Sequence, residues 1–149
     1  MLIPEQLYRQ ILPVMPIPCV DLLVVDTKGK ILLVKRRNEP AKGLWWVPGG
    51  RVQFGELRAA AALRKLREEC GLHSGSRPPI ELSTEDLILP NGQGGSSHVI
   101  ATVYRIDVAA GQPVVLDAQS EAADWRTAKE WAAMDIHPYV LHCLGKVIP

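Results

Sequence analysis

The 149-residue sequence predicts an α/β fold in which a mixed β-sheet is packed between helices. Three observations support this prediction. Apolar runs typical of buried strands occur at residues 16–25, 31–34 and 99–108, an amphipathic segment at 57–70 has the period of a long helix, and two more helical segments follow late in the chain. Strands flanked by three or four helices are typical of a layered α/β domain.

The first half of the chain is predicted to supply one short helix and three strands. Pro4 is tolerated in a first helical turn, and the helix ends before Pro13. In chain order the predicted elements are a helix at 4–12, a strand at 16–25, a hairpin turn at 26–30, a second strand at 31–34, a loop at 38–43 and a short strand at 44–47. Trp45 and Trp46 of the short strand would point to opposite faces. One is expected in the core, and the other either shelves a nucleobase or packs in the core or at an interface.

The central helix is predicted from the period of its apolar residues. Those at positions i, i+4, i+7 and i+11 are Ala59, Leu63, Leu66 and Cys70. This spacing places them on one stripe of a helix, which we expect to face the core. Gly71 stands where a left-handed residue would end the helix. The sequence therefore predicts a long helix with a well-defined C-terminus.

The second half of the chain is predicted to contain three strands and two helices. Thr127 and Glu130 have the spacing of a capping box, which marks a helix start, and Gly145 closes the last helix. The predicted elements are a strand at 80–89, a flexible loop at 91–97, a strand at 99–108, a short strand ending at Asp124 and Trp125, a helix from Thr127 to about Met134 and a helix at 138–144.

The composition excludes several classes of protein. With 47% hydrophobic and 22% charged residues the chain is globular, and its length fits one domain spanning 1–149. The formal net charge of +1 gives no reason to expect the basic stripe that grips long nucleic acids, so we expect no such partner, whereas short phosphate ligands are compatible with it.

The cysteines and the apolar segments predict the compartment. Cys19, Cys70 and Cys143 form an odd, widely spaced set, which argues against a disulfide framework and fits a reducing compartment. The N-terminal segment carries Glu5, Arg9 and four prolines, unlike a signal peptide. No apolar run approaches the roughly 20 residues of a membrane span. We therefore expect a cytoplasmic protein with no membrane partner.

Four polar residues are candidates for substrate contacts. Asp21 interrupts an apolar strand, and such a carboxylate either lies on a wet face or points into an active-site cleft. Arg36 and Arg51 are candidates for binding phosphate because a guanidinium contacts two oxygens at once; a solvated surface position is the alternative for each. His98 either reaches a substrate or is a strand-edge histidine with its own hydrogen bonds.

The turn before the central helix and the charged residues along the helix form a pattern. Five residues separate Gly50 from Glu56, and seven separate Glu56 from Arg64. The remaining matched positions are Leu66, Glu68, Glu69, Gly71 and Leu72. This spacing resembles the signature of the Nudix hydrolases, G-x5-E-x7-R-E-U-x-E-E-x-G-U, where U is aliphatic. One fixed position departs from it, because Lys65 replaces the glutamate that follows the arginine. A solvated charged helix face behind a turn is the alternative interpretation.

Carboxylates at the end of a helix, near a backbone carbonyl freed by a glycine turn, form an all-oxygen site suited to Mg²⁺ or Mn²⁺. The resemblance implies that Glu69 and the carbonyl of Gly49 are direct ligands and that Glu68 binds directly or through water. It also implies that Arg64 orients the glutamates and that Glu56 braces the loop.

Lys65 changes the expected number of metal ions. It precedes Glu69 by four residues, so the two side chains are neighbours on the helix surface. Replacing a negative charge by a positive one shifts the local charge by two units, which makes a cluster of two or three divalent ions costly. We therefore expect a single ion.

Residues 15–126, above all the run VDLLVVDTKGKILLVKRRNEPAKGLWWVPGGRVQ, are similar to the GDP-mannose mannosyl hydrolases. This Nudix branch also lacks the glutamate after the motif arginine and uses one magnesium ion; water attacks the anomeric carbon, and the nucleoside diphosphate leaves intact. The resemblance implies that Asp21 and Arg36 stabilise charge developing on the sugar and the diphosphate. It implies that Arg51 holds phosphate, that Gln119 is a further metal ligand, and that the protein is a homodimer with a Nudix-type α/β/α sandwich.

The match departs at the general base. The mannosyl hydrolases have a histidine directly after the glutamine, where this chain has Ser120. A neutral hydroxyl is a poor base near pH 7. Neighbouring Glu121 is the candidate replacement, and Asp124 and His98 are the alternatives.

The sequence leaves three functional hypotheses. The first is a magnesium-dependent hydrolase of a nucleoside diphosphate sugar, GDP-mannose-like, with release of free sugar by attack at carbon. The second is a Nudix pyrophosphohydrolase that attacks phosphorus and makes two monophosphate products. The third is a nucleotide-binding or regulatory module whose catalysis has decayed, which the combination of Lys65 and Ser120 suggests.

Overall fold

The computed structural model describes residues 2–147; residues 1, 148 and 149, which the predicted domain also includes, lie outside the described part. Within it the chain forms four helices and seven strands. In order these are α1 (Glu5–Ile11), β1 (Ile17–Asp26), β2 (Ile31–Arg36), β3 (Trp45–Trp46), β4 (Gly49–Arg51), α2 (Arg58–Cys70), β5 (Ile80–Pro90), β6 (Ser96–Val108), β7 (Ser120–Arg126), α3 (Ala128–Ala132) and α4 (Pro138–Leu144).

The seven strands form one mixed sheet. Strands β3, β2, β1, β6 and β5 lie side by side in that order, β4 pairs with β1, and β7 pairs with β2. Strands β1 and β6 run parallel from the Ile17–Val99 pair to the Asp26–Val108 pair, and the other strand pairs are antiparallel. The predicted α/β fold with a mixed sheet is confirmed.

The alternation of side chains along β1 separates two hydrophobic cores. Val20 and Leu22 point to one face, where they pack with Leu66 of α2. Leu23 points to the other face and packs with Trp131 of α3. Because an extended strand places successive side chains on opposite faces, helices cover both sides of the sheet in α/β/α layers.

Helix α2 ends as predicted, because Gly71 adopts a left-handed conformation with φ of 66°. The predicted buried stripe is partly wrong, since Ala59 is exposed. The face that packs against the sheet instead includes Lys65 and Glu69, which are 8% and 5% exposed. Their opposite charges compensate each other, so a helix face that appears polar in the sequence can be buried.

Strand β4 was not predicted, because two consecutive glycines give no side-chain period. It pairs Gly49 with Asp21 and Gly50 with Val20 of β1. The predicted capping box of α3 is confirmed, and the three cysteines are free thiols. No helix within residues 2–147 has the length and apolarity needed to cross a membrane.

Candidate active site

A cleft of about 160 Å³ opens on the sheet face that carries α3 and α4. Its polar residues include Asp21 of β1, Arg36 at the end of β2, and Gln119 just before β7. Its apolar wall includes Trp46, Leu87, Leu89 and Val99. The cleft therefore combines a carboxylate, a guanidinium and an amide with an apolar surface, which is the usual composition of a small-molecule site.

Asp21 is buried in the wall of this cleft, 8% exposed. Its Oδ2 accepts a hydrogen bond of 2.5 Å from the Tyr139 hydroxyl. Burial raises the pKa of Asp21 to about 6 and the charge of Glu69 adds to this rise, while the hydrogen bond from Tyr139 and the charge of Arg36 oppose it. Of the two interpretations of this carboxylate, the structure supports the one in which it points into a cleft.

The glycines of β4 form a wall shared by the cleft and helix α2. Both line the cleft, and the Gly49 amide donates a hydrogen bond of 3.1 Å to Oε2 of Glu69. A Cβ atom on Gly49 would lie 2.6 Å from Oδ1 of Asp21, and one on Gly50 would lie 2.4 Å from Cε of Lys65. Only glycine lets the strand lie this close to the groups on its two sides.

Lys65 and Glu69 form an ion pair behind this wall. The lysine Nζ lies 3.0 Å from Oε1 of Glu69 and 3.6 Å from Oε2 of Glu68. Burial raises the pKa of Glu69, and the positive charge of Lys65 is the main effect that opposes the rise. The ammonium group thus lies between the two carboxylates predicted to hold a metal ion.

Arg64 connects the turn to the last turns of α2. Its Nε and Nη2 donate to the two oxygens of Glu56 at 2.7 and 2.8 Å. Its Nη1 donates to Glu68 at 3.0 Å, and Nη2 also donates to the Arg51 carbonyl at 3.0 Å. Glu56 in turn accepts from the Gln53 amide at 3.0 Å. These bidentate contacts are the geometry expected if Arg64 orients Glu68 and Glu56 braces the loop.

The Arg64 hydrogen bonds lower the pKa of Glu56 from 4.5 to about 2. Because its pKa is lower in the folded state, the ionised Glu56 stabilises the fold at pH values above the unfolded pKa of 4.5. This contribution is lost as the pH falls toward the folded pKa of about 2. We therefore predict that Glu56→Gln is less stable than the wild type by about 1.5–3 kcal/mol at pH 7, and that this difference shrinks at pH 3. Urea denaturation at both pH values measures it.

The control for this prediction is Glu81→Gln. Glu81 pairs with Arg58 at the surface, with side chains 46% and 49% exposed, and such pairs contribute less than about 1 kcal/mol. A stability difference for Glu56→Gln that is independent of pH would contradict the assignment to its charge.

The two arginines predicted to bind phosphate lie at the cleft or beside it. Arg36 lines it and is oriented by a 2.7 Å hydrogen bond from Nε to the Pro40 carbonyl. Arg51 pairs with Cys19 across β4 and β1, so both side chains project from the same sheet face, and Cys19 lines the cleft. Burial raises the pKa of Cys19 to about 12, so its thiol stays protonated and is a poor nucleophile.

The structure does not bring His98 or Glu121 into the cleft. Ser97 and Val99 line it, so the period of two in β6 turns His98 to the other face, where its Nε2 lies 3.9 Å from Asp86. Glu121 is exposed and lies 3.5 Å from Nζ of Lys35. The register of β2 and β7 shifts between Lys35 and Arg36, a feature that no sequence period predicts.

Tyr139 and Trp46 were not predicted as parts of the site. Tyr139 lies 118 residues after its partner Asp21, and a single tyrosine in a helix gives no signal of such a contact. Trp46 lines the cleft and is 5% exposed, whereas Trp45 packs against Trp131 with 5.2 Å between ring centroids. The prediction that the two tryptophans point to opposite faces is therefore wrong, because both pack on the same hydrophobic core.

The oxygens near the end of α2 suit one hard cation. Within residues 2–147 no group of three or more His, Cys, Asp or Glu side chains is arranged to hold a metal ion. Glu69 contacts the amide of Gly49, and Glu68 precedes it at the same end of α2. Gln119 lines the cleft together with Gly49. Carboxylates with neutral oxygens nearby suit Mg²⁺ because this ion keeps several water ligands. Lys65 already neutralises part of the negative charge, so the donor set fits one ion better than a cluster.

Comparisons with known proteins agree with this geometry. The NUDIX domain family matches residues 15–142. An ADP-ribose pyrophosphatase from Methanocaldococcus jannaschii is 34% identical over 99 residues, which cover 66% of this chain and 56% of the relative. The low-salt glycan biosynthesis protein Agl8 from Haloferax volcanii is 41% identical over 105 residues, which cover 70% of this chain and 67% of the relative. The chain thus spans between about half and two thirds of the length of these relatives.

A solved structure has the same fold. The MutT NUDIX hydrolase from Burkholderia pseudomallei superposes with a TM-score of 0.74 at 27% identity, over 90% of this chain and 99% of that one. None of these three proteins is named as a GDP-mannose mannosyl hydrolase, so that branch stays a prediction. The family match over most of the chain and the turn–helix geometry from Gly50 to Leu72 lead to one conclusion: this chain belongs to the NUDIX domain family.

Proposed function

We propose that this chain is a magnesium-dependent hydrolase of a nucleoside diphosphate sugar. The observation that carries the proposal is the wall of Gly49 and Gly50. Only the backbone of these two glycines separates the glutamates of α2 from the cleft. A diphosphate bound at this wall would therefore contact both the glutamate side and the cleft side. The names of the two relatives, an ADP-ribose pyrophosphatase and a glycan biosynthesis protein, support a substrate that carries a sugar.

The proposed metal site uses the oxygens near the end of α2. Glu69, Glu68, the carbonyl of Gly49 and Gln119 would hold one Mg²⁺, and Mn²⁺ has the same ligand preferences. When bound, the ion would neutralise the diphosphate and favour its departure. Arg64 supports this set through its hydrogen bond to Glu68.

The residues of the cleft are assigned to the substrate. Arg36 is oriented toward it by the Pro40 carbonyl and would bind the diphosphate, with Arg51 beside it. Asp21 would stabilise positive charge on the sugar carbon as the bond to the diphosphate breaks. The apolar wall, including Trp46, would exclude water around the sugar or the base.

Glu121 is the proposed general base because it is the first carboxylate after Gln119. Reaching the attacking water requires its 3.5 Å contact with Lys35 to open. His98 would have to cross to the other sheet face. Asp124 already accepts a 2.8 Å hydrogen bond from Arg126. Glu121 therefore remains our proposed base, because the contact that it has to open is solvent-exposed.

Hydrolysis in heavy-oxygen water identifies which bond breaks. We expect GDP-mannose, whose sugar is joined to the diphosphate through its anomeric carbon, to give GDP and free mannose with Mg²⁺, with the label in the sugar hydroxyl. Label in phosphate would contradict attack at carbon and support the pyrophosphohydrolase alternative. Tight binding without turnover across a broad nucleotide panel, with Mg²⁺ or Mn²⁺, would overturn the hydrolase proposal in favour of a binding module. Size-exclusion chromatography of the protein tests the predicted homodimer.

A further inference from the structure

Asp21 is held by a residue of α4, the helix that covers the same sheet face as the cleft. Asp21 lies on the face of β1 that also carries Leu23 and Val25, the face covered by α3 and α4. The hydroxyl of Tyr139, in the first turn of α4, donates to Oδ2 of Asp21. A buried carboxylate costs free energy unless it is hydrogen-bonded, so this contact is part of what permits Asp21 to lie in the cleft wall.

Tyr139 itself is fixed on three sides. It is 8% exposed, and its ring stacks on Trp46 with 5.5 Å between centroids and an angle of 26°. Its backbone amide donates to Nδ1 of His137, the N-cap of α4, at 3.1 Å. Burial and the charge of Asp21 raise the pKa of Tyr139 well above its ordinary value, so the phenol remains protonated and acts as a donor.

The second oxygen of the Asp21 carboxylate, Oδ1, is not the one that accepts the hydrogen bond from Tyr139. Oδ1 of Asp21 lies next to Gly49, close enough that a Cβ atom there would be 2.6 Å away. One oxygen is therefore held by α4, and the other lies beside the glycine wall that lines the cleft. A carboxylate held in this way is an acceptor for hydroxyl groups.

We propose that Tyr139 is a positioning residue: its hydroxyl fixes the Asp21 carboxylate so that the carboxylate accepts a hydrogen bond from a sugar hydroxyl of the substrate. This inference rests on the proposed nucleoside diphosphate sugar substrate. It assigns the recognition of the sugar to a pair contributed by β1 and α4, and it leaves recognition of the diphosphate to Arg36 and the glycine wall. Removal of the tyrosine hydroxyl should therefore weaken binding of the sugar part alone.

The test compares Tyr139→Phe with Tyr104→Phe. Tyr104 is also buried, 4% exposed, but it packs in the other core with α2. Calorimetry in EDTA, where turnover is suppressed, measures the binding of ADP-ribose, GDP-mannose, ADP and GDP. Thermal unfolding checks that both variants are folded; the phenylalanine keeps the ring that stacks on Trp46.

We expect Tyr139→Phe to weaken binding of the two nucleotide sugars about tenfold, because a hydrogen bond to a charged group is lost. Binding of ADP and GDP should change less than about twofold. Asp21→Asn should produce a similar sugar-specific loss, and the double variant should lose no more than the larger single loss, because the two residues act through one contact. Tyr104→Phe should match the wild type.

Equal weakening of nucleotide sugars and nucleoside diphosphates in Tyr139→Phe would indicate a general structural loss and overturn the inference. The inference would also be overturned if Tyr139→Phe bound the nucleotide sugars as tightly as Tyr104→Phe does. It would likewise fail if the wild type bound the nucleotide sugars no better than ADP and GDP. If the wild type binds the sugars and does not hydrolyse them, the proposed function fails, and the binding of the variant still decides the role of Tyr139.

Discussion

Glu69→Gln is expected to lower kcat/KM for the best substrate by at least about 100-fold. Glutamine keeps the size of the side chain and still accepts the hydrogen bond from the Gly49 amide, which is 3.1 Å long in the native protein. It removes the negative charge that a divalent ion requires at the end of α2. The expected loss is therefore one of charge and not of shape, and steady-state kinetics with Mg²⁺ and with Mn²⁺ measures it.

This substitution also affects stability, and the two effects must be separated. Glu69 and Lys65 are both buried and lie 3.0 Å apart. Removing one partner of a buried ion pair typically costs about 3–5 kcal/mol because the other charge is left uncompensated. Glu69→Gln alone would therefore be less stable, and a loss of activity could be attributed to unfolding.

The double variant Glu69→Gln with Lys65→Gln separates them. Two neutral amides replace the ion pair, so we expect most of the lost stability in urea denaturation to return while activity stays low. Glu81→Gln, at an exposed ion pair between Arg58 and β5, should keep both activity and stability. Recovery of turnover in the double variant would contradict the proposal that Glu69 holds the metal ion.

The parts of this site that the sequence predicted are local in the chain. Glu56, Arg64 and Glu69 belong to one turn and one helix, so their spacing and the helical period place them together regardless of how the sheet is assembled. The end of α2 at Gly71 was predicted for the same reason. The metal roles of these residues stay predictions, whereas their contacts with one another follow from local geometry.

The parts that could not be predicted depend on strand phase. One residue of difference in a strand moves a side chain to the opposite face. Strand β6 turns Ser97 toward the cleft and His98 away from it, and the shift of register after Lys35 sets where β7 begins to pair. The sequence predicted both strands, but their phase depends on pairing partners that are distant in the chain.

The contact between Asp21 and Tyr139 is the clearest non-local case. The sequence identified Asp21, because a carboxylate in an apolar strand requires a partner or a cavity. It gave no indication of the partner, because α4 is placed over β1 by packing of residues such as Leu23 and Val140. A residue that contradicts its local pattern can thus be recognised from sequence, and the group that satisfies it is known only once the tertiary structure is known.

Lys65 also accounts for the second large effect that we expect, on metal stoichiometry. Its ammonium group lies 3.0 Å from Glu69 and 3.6 Å from Glu68, where a further divalent ion would have to bind. At such distances the interaction of a unit charge with a divalent ion is on the order of several kcal/mol, even at the effective dielectric constant of a protein surface. We therefore expect the lysine to act as a resident cation that excludes further metal ions, in the space that Gly50 leaves for it.

We predict that the wild type binds one Mn²⁺ per chain and that Lys65→Glu binds two, measured by calorimetry and by electron paramagnetic resonance of free Mn²⁺. Lys65→Gln is the matched control: it removes the positive charge without adding a ligand, so it should bind one ion more tightly than the wild type. Without metal, Lys65→Glu should unfold at a lower temperature than Lys65→Gln, because three carboxylates then face each other. Saturating Mn²⁺ should raise the Tm of Lys65→Glu more than that of the control, because ligands that bind only the folded state stabilise it by mass action. Two tightly bound ions in the wild type, or one in a folded Lys65→Glu, would show that the lysine does not determine the number of ions.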